Sequence, residues 1–151
     1  MKMFYEAVLI SHLNIQKYSS EEAFIEIEEA LILFFLNTKN ISIIGDFNSR
    51  TSKLIDYIVD DLELFDIIDI VDDTDYIDNM LINLEEKDIP LERYSQDVGR
   101  FNKYGMKLLE LCKRCNIFIG NGRLYSDKGI GRTTCKDASL VDYHLLSTSH
   151  F

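Results

Sequence analysis

The chain has 151 residues, 46% of them hydrophobic, which is enough apolar material for one domain with a buried core. No stretch approaches the ~20 apolar residues that a membrane span needs, and residues 1–13 lack the continuous apolar block of a signal peptide. Three cysteines form no even disulfide framework, so we expect a nuclear or cytoplasmic protein without a membrane partner.

The formal charge of -10 is unevenly distributed along the chain. Residues 1–99 carry 7 basic and 22 acidic side chains, whereas residues 100–151 carry 9 and 4. The overall charge argues against a nucleic-acid partner, but the basic end can form a phosphate-facing patch. Scattered solubilising charge explains the same residues about as well. The basic residues are Arg100, Lys103, Lys107, Lys113, Arg114, Arg123, Lys128, Arg132 and Lys136.

The first part of the chain predicts a strand, a helix and a second strand. Residues 5–10 are a short apolar run, and Ser19 with Glu22 matches a capping box that opens a helix over residues 20–37. Residues 41–44 are another short apolar run, which predicts a strand covered on both faces. The helix has its apolar side at Phe24, Ile27, Leu31, Phe34 and Phe35 and its solvated acids at Glu26, Glu28 and Glu29.

The second part of the chain begins with a segment whose secondary structure is less clear from the sequence. Residues 53–89 mix apolar and acidic side chains, and Asp72 to Asp78 lack the glycine and terminal glutamate of a calcium loop, so an acidic surface segment is expected. A second helix should run from Asn102 to near Asn116. Beyond it the pattern predicts a strand at 117–119, turns at 120–122 and 127–131, and a strand that begins at Thr133, Thr134 and Cys135.

Two segments carry polar side chains where a strand ends or begins. Residues 41–49 reach a glycine and then present Asp46 and Asn48, which an extended backbone would place on the same side of the chain. Residues 139–147 carry Asp142 within an apolar run. The structural alternatives are an Asx turn for Asp46 and Asn48 and a salt bridge for Asp142.

In their order along the chain, these segments resemble the endonuclease/exonuclease/phosphatase family, and most closely the endonuclease domain of non-LTR retrotransposons. The resemblance implies an α/β fold: a two-sheet sandwich with helices on the outside. The matching segments are Gly45-Asp46-Phe47-Asn48-Ser49-Arg50, Arg93 to Asp97, Asn102 to Gly105, Leu108 to Cys112, Asn121-Gly122-Arg123 and Ser139 to Tyr143.

The resemblance also implies a metal-dependent hydrolase of phosphoester bonds that acts on DNA. Asp46 would align or deprotonate the attacking water, Asn48 would donate to a phosphate oxygen, and Asp142 would orient a catalytic histidine. Arg123, like Asn48, would bind substrate. The implied cofactor is Mg²⁺, with Mn²⁺ as the alternative, and the sequence identifies neither the metal ligands nor the oligomeric state.

Several elements of the family have no match in this chain. The family has a metal-binding glutamate on an early strand and a Ser-Asp-His segment near its end, and where it has a tyrosine this chain has Ile10, Ser11 and His12. We therefore expect residues 1–151 to be a single partial domain without the N-terminal strands and the C-terminal Ser-Asp-His segment. Such a domain should have little or no hydrolytic activity alone.

Other functions remain open. One is a non-catalytic remnant that binds nucleic acid or a protein partner, and another is a phosphatase-branch enzyme acting on a lipid or nucleotide phosphate. His144 lies two positions beyond Asp142, but the family's histidine comes from a later loop. Cys112 and Cys115 have metal-ligand spacing, yet only one further cysteine exists, which argues against zinc.

Overall fold

The computed structural model describes residues 7–12, 20–58, 84, 86–136 and 138–150. These residues confirm the predicted mixed α/β class. The strands of the described residues belong to one sheet, and the predicted second sheet stays a prediction. The elements are β1 (Ala7–His12), α1 (Ser20–Phe35), β2 (Ile41–Asp46), α2 (Lys103–Cys115), β3 (Ile117–Ile119) and β4 (Asp142–Ser147), with short 3-10 helices at Tyr125–Asp127 and Thr148–His150.

The four strands lie in the order β1-β2-β4-β3. Strand β1 pairs with β2 in parallel, whereas β4 pairs antiparallel with both β2 and β3. Leu145 in β4 is opposite Ile43 on one side and Ile119 on the other. The middle of the sheet is therefore made of β2 and β4, the two strands whose ends carry the predicted site residues.

Both helices pack against one face of this sheet. Helix α1 contributes the apolar spacing predicted from the sequence, and Leu31 is fully buried, which stabilises the fold by roughly 1.5–3 kcal/mol. Helix α2 begins after the N-cap Asn102 and ends at Cys115, with Asn116 as its C-cap, close to the predicted bounds. The shared core consists of Phe24, Ile27, Leu31, Ile41, Ile43, Phe47, Leu108, Leu109, Leu111, Cys112, Ile117, Ile119, Leu140, Tyr143 and Leu145.

The opposite face of the sheet is covered only in part. Leu146 and Phe118 are buried there, and Phe118 packs with Leu84. Ser42 is buried as well, but Ile44, two residues further along β2, is 48% exposed. The prediction that β2 is covered on both faces therefore holds at the start of the strand and is wrong near its end.

One predicted strand is absent from the described part of the chain. Cys135 forms only an isolated bridge with Ser139, and the next strand begins at Asp142. The reason is a tight reversal in which the backbone N–H groups of Thr134 and Cys135 both donate to the carbonyl of Ser139 at 2.9 Å. The acidic segment Asp72 to Asp78 and Ser19 lie outside the described residues. No helix in the described ranges is long and apolar enough to cross a membrane.

Candidate active site

Two aspartates lie side by side where β2 ends and β4 begins. Asp46 is the last residue of β2, Asp142 is the first of β4, and the two are direct partners in the antiparallel register. Direct partners in such a pair have Cβ atoms about 4.5–5.5 Å apart. Both residues are exposed, whereas the following residues, Phe47 and Tyr143, are buried. The structure thus brings together two predicted residues that are far apart in the sequence, at an open rim of the sheet.

A third residue shares this row of the sheet. His12, the last residue of β1, is the register partner of Asp46 on the parallel side. Three neighbouring strands therefore carry His12, Asp46 and Asp142 at equivalent positions. Sequence reasoning did not assign His12 to the site, because the pairing of β1 with β2 was not predicted. The sequence feature that could have indicated His12 is its position just after an apolar run that precedes the first helix.

The backbone leaves the extended conformation directly after β2. Asn48 is left-handed, with φ 49°, and its N–H donates to Oδ1 of Asp46 at 2.8 Å. The Asx turn considered as the structural alternative is therefore present. The prediction that an extended backbone places the side chains of Asp46 and Asn48 on the same side of the chain is wrong at Asn48, because Asn48 is not extended. Its side chain is exposed and forms no hydrogen bond with the described residues, so the carboxamide has donors available for a ligand.

Asn102, the N-cap of α2, holds this loop in place. Its Oδ1 accepts from the N–H of Gly105 at 2.7 Å and from the N–H of Arg50 at 3.0 Å. Its Nδ2 donates to the carbonyl of Asn48 at 2.9 Å. A Cβ at Gly105 would collide with the carbonyl oxygen of Arg50, so the loop and the helix approach each other more closely than any other residue allows. A helix terminus therefore fixes the turn beside Asp46.

Arg50 and Asp97 form the second brace of the loop. Arg50 donates to the Asp97 carboxylate from Nε at 3.1 Å and from Nη2 at 2.5 Å. Asp97 also accepts from the N–H groups of Leu140 at 3.1 Å and Gly99 at 3.0 Å. Burial opposes the ionisation of Asp97, but these donors together outweigh it and lower the pKa of Asp97. The carboxylate ties three loop segments together just before β4.

Tyr143 supports the same loop from the buried core. Its ring meets the Phe47 ring edge to face, with centroids 6.2 Å apart. Its hydroxyl lies 3.1 Å from the carbonyl of Ser49 and 3.0 Å from that of Leu140. Burial raises the pKa of Tyr143, so the phenol stays protonated and acts as a structural hydrogen-bonding group.

Arg93 fixes the following residues of the same loop. Its Nη2 donates to the carbonyls of Ser52 at 2.9 Å and Leu54 at 3.2 Å, and to the hydroxyl of Thr51. Nε and Nη1 are buried without a hydrogen-bond partner among the described residues. Burial lowers the pKa of Arg93. Arg50, Arg93, Asp97 and Asn102 all lie in segments that carry the family resemblance, and their contacts give them supporting roles that sequence reasoning did not identify.

The structure places Arg123 away from the rim. Its guanidinium is buried and bidentate with Asp56, from Nη1 at 2.6 Å and from Nη2 at 2.8 Å. The remaining N–H groups donate to the carbonyls of Pro90, Ile119 and Leu91. All five donors of this guanidinium are therefore used within the fold. The substrate-binding role predicted for Arg123 has no donor available in this arrangement.

Asp142 and His144 also have defined surroundings. Asp142 forms no ion pair with the described residues, so the structural salt bridge considered for it is not observed among them. His144 Nε2 lies 2.8 Å from the hydroxyl of Ser42, and its backbone N–H donates to Asn121. Among the described residues, the imidazole thus pairs with a serine one strand away, while the Asp142 carboxylate stays open at the rim.

The cysteines do not form a metal centre in the described part of the chain. Cys112 and Cys115 are both free, and burial raises the pKa of Cys115 to about 12. Protonated thiols are poor metal ligands. No group of three or more His, Cys, Asp or Glu side chains in the described ranges is placed to hold a metal ion. The Asp46 and Asp142 pair fits a different type of site, in which one or two carboxylates, water and a phosphate hold Mg²⁺.

Comparison with family models, curated proteins and solved structures found no match for this chain.

Proposed function

We propose that this chain is a metal-dependent phosphodiesterase domain of the endonuclease type, acting on DNA as in the retrotransposon branch of the family that it resembles. The observation that carries the proposal is the register pair Asp46 and Asp142 at the open ends of the two central strands. Beside this pair lies an exposed carboxamide, Asn48, on a loop that is braced by Asn102 and Asp97. Rigid support of polar groups is what a phosphoester-cleaving site requires.

Each rim residue has a task in the cleavage step of this proposal, and the two aspartates would also hold the metal. The Oδ1 of Asp46 accepts from the N–H of Asn48, which leaves Oδ2 to align or deprotonate a water. The carboxamide of Asn48 donates to a non-bridging phosphate oxygen and holds the phosphorus in line with that water. The Asp142 carboxylate is exposed, so it can accept from the catalytic imidazole that the family resemblance implies.

Asp46 and Asp142 would hold Mg²⁺ between them, together with water and a phosphate oxygen. A bound divalent cation neutralises charge that develops on the phosphate in the transition state. No imidazole hydrogen-bonds to Asp142 among the described residues, and His144 is paired with Ser42. We therefore expect residues 1–151 alone to cleave DNA poorly.

The second sheet of the sandwich is also part of the proposal. Ile44 is half-exposed on the face of the sheet away from the helices, and Asp46 and Asp142 lie further along the same face. A second sheet packed there would cover Ile44 and leave the rim at its edge.

The Asx turn favours a second candidate, a non-catalytic remnant that binds nucleic acid or a protein partner. In that case the hydrogen bond from Asn48 to Asp46 only terminates β2, as such turns commonly do. The Asp46 carboxylate would then have no influence on DNA cleavage in any form of the protein. The alternative phosphatase-branch function is separated from DNA cleavage only by assaying a lipid or nucleotide phosphate as the substrate.

Nicking of supercoiled plasmid tests the proposal. We expect residues 1–151 to nick little in Mg²⁺, and a longer form that adds the family's N-terminal strands and Ser-Asp-His segment to nick well. In the longer form, Asp46→Ala should lower the rate by roughly 10² to 10⁴, the contribution of a positioned general base. Asp88→Ala is the matched control, since the Asp88 side chain is 98% exposed and its ion pair is with Lys128 and not with a rim residue. Strong nicking by the short chain that persists in Asp46→Ala would refute the assignment.

A further inference from the structure

The loop that braces the rim also exposes large apolar side chains. Between residues 94 and 103, which we call the bracing loop, Tyr94 is 59%, Val98 85% and Phe101 53% exposed. Their buried neighbours in sequence, Ser95 and Asp97, show that the backbone is well packed while these side chains project outward. Exposed aromatic rings that occur close together in a chain are often found on surfaces that bind a ligand.

The same loop carries cations with no acidic partner among the described residues. Ion pairs within the described part of the chain include those of Arg114, Arg123, Lys128 and Arg132. Arg100 and Lys103 are exposed and form no ion pair with the described residues. Asp97, the acid within the bracing loop, is neutralised by Arg50. The bracing loop therefore carries local positive charge, although the whole chain has a net charge of -10.

The bracing loop lies against the candidate active site. Asn102 donates to the carbonyl of Asn48 at 2.9 Å, and the N–H of Asn48 donates to Asp46 at 2.8 Å. Phe101 and Lys103 are the chain neighbours of Asn102. An extended ligand that contacts these two residues therefore needs little additional length to reach the Asp46 carboxylate.

We propose that the bracing loop binds an unpaired stretch of DNA next to the scissile phosphate, with bases stacked on Phe101 and Tyr94 and phosphates on Arg100 and Lys103. Exposed rings interleaved with cations are the combination that single strands require, since each base offers a π-face and each link a charge. Duplex bases are already stacked on each other and cannot use the rings. This inference rests on the proposed function for its location, but it concerns binding and not cleavage.

Fluorescence anisotropy with a labelled oligothymidine of about 12 nucleotides tests this surface in the full 151-residue chain. Phe101→Ala and Tyr94→Ala should each weaken binding about fivefold or more, the effect of losing one stacked base. Leu36→Ala is the matched control, since Leu36 is 78% exposed near the opposite end of β2. Equal thermal midpoints establish that all variants are folded. A duplex of the same length should bind more weakly than the single strand.

The salt dependence of oligothymidine binding separates the contribution of the cations from that of the aromatic rings. Arg100→Ser and Lys103→Ser should each lower the slope of log affinity against log salt by about 0.7, the value for one phosphate contact on a single strand. Phe101→Ala should leave that slope unchanged, because stacking releases no counterion. Lys39→Ser, an exposed lysine just before β2, is the charge control and should change neither affinity nor slope.

Asp46→Asn separates this inference from the proposed function. The variant should bind oligothymidine as well as the wild type or better, because it removes a negative charge, while the longer form of the protein loses cleavage. Binding that depends on Phe101 without Asp46-dependent cleavage would uphold the binding surface and refute the nuclease. Absence of oligothymidine binding, equal losses in Leu36→Ala, or tighter binding of duplex would overturn the binding surface. So would capture of an acidic polypeptide in place of the oligonucleotide.

Discussion

At the residue scale, Asp97 shows how one buried carboxylate can organise an active-site rim. Its oxygens accept from Arg50, Gly99 and Leu140, which belong to three different segments. The carboxylate carries no chemistry in the proposed reaction. Its contribution is to hold the loop that follows Asp46 and the segment that leads into Asp142 in one arrangement.

The pKa shift of Asp97 gives a pH-dependent prediction. Because its pKa in the folded protein is lower than the ordinary value of 3.8, its contribution to the free energy of unfolding is present above that value and is lost as the pH falls through the folded pKa. Asp97→Asn should be less stable than the wild type by about 2–4 kcal/mol at neutral pH, and the gap should narrow below pH 3.8. Urea unfolding of both proteins, from neutral pH to below pH 3.8, measures this difference in stability. A gap that is independent of pH would contradict the role given to the ionised carboxylate.

Gly122 and Gly129 form a matched pair for a backbone test. Both have positive φ, 77° and 75°, but a Cβ at Gly122 would collide with the carbonyl oxygen of Tyr94, whereas nothing lies within 4 Å of a Cβ at Gly129. Gly129→Ala should cost about 1–2 kcal/mol for the left-handed conformation alone. Gly122→Ala should cost clearly more, since the Tyr94 backbone must also shift. Equal losses in thermal unfolding would show that Gly122 does not pack against the bracing loop.

Arg123 illustrates what residue-scale reasoning from the sequence cannot see. The substrate-binding role of Arg123 was predicted only from the resemblance of the Asn-Gly-Arg segment to the family, and not from the chemistry or spacing of its residues. Its actual partner, Asp56, lies in the stretch that showed no clear pattern, and the two residues are brought together only by the tertiary fold. Burial of a long-range ion pair leaves no local signature in the sequence.

At the scale of elements, helix α2 was predictable almost to its ends. Apolar spacing, the N-cap Asn102 and the basic last turn of Lys113 and Arg114 are local signals, and all of them agree. Strand β3 was predictable for the same reason. The strand expected at Thr133 was not formed, because the hydrogen bonds of that segment go to the Ser139 carbonyl. Propensity alone could not reveal this competing turn.

Asn102 links the stability of α2 to the loop beside Asp46. A typical N-cap substitution by alanine costs about 1 kcal/mol. Asn102→Ala also loses the hydrogen bonds with Arg50 and Asn48, so we expect a loss of about 2–3 kcal/mol in urea unfolding. Asn102→Asp keeps both acceptor contacts and should recover most of the loss. If Asn102→Ala costs no more than an ordinary cap, the bracing of the loop by this residue is not significant.

At the scale of the whole molecule, the candidate site depends on sheet order. The motifs around Asp46 and Asp142 were visible in the sequence, but their pairing follows from β4 lying between β2 and β3. Nothing in the local patterns gives that order, because pairing of distant strands is a tertiary property. The placement of His12 beside Asp46 depends on the parallel pairing of β1 in the same way.

Line broadening of backbone amide signals by Mn²⁺ tests the central claim, that Asp46 and Asp142 together form one cation and phosphate site at the open rim. We predict that the amides of Asp46, Asn48 and Asp142 broaden first and together in the wild type. Asp46→Asn should reduce the broadening at Asp142 as well, whereas Asp88→Asn should not. Broadening that starts elsewhere, or that persists at Asp142 in Asp46→Asn, would contradict the account.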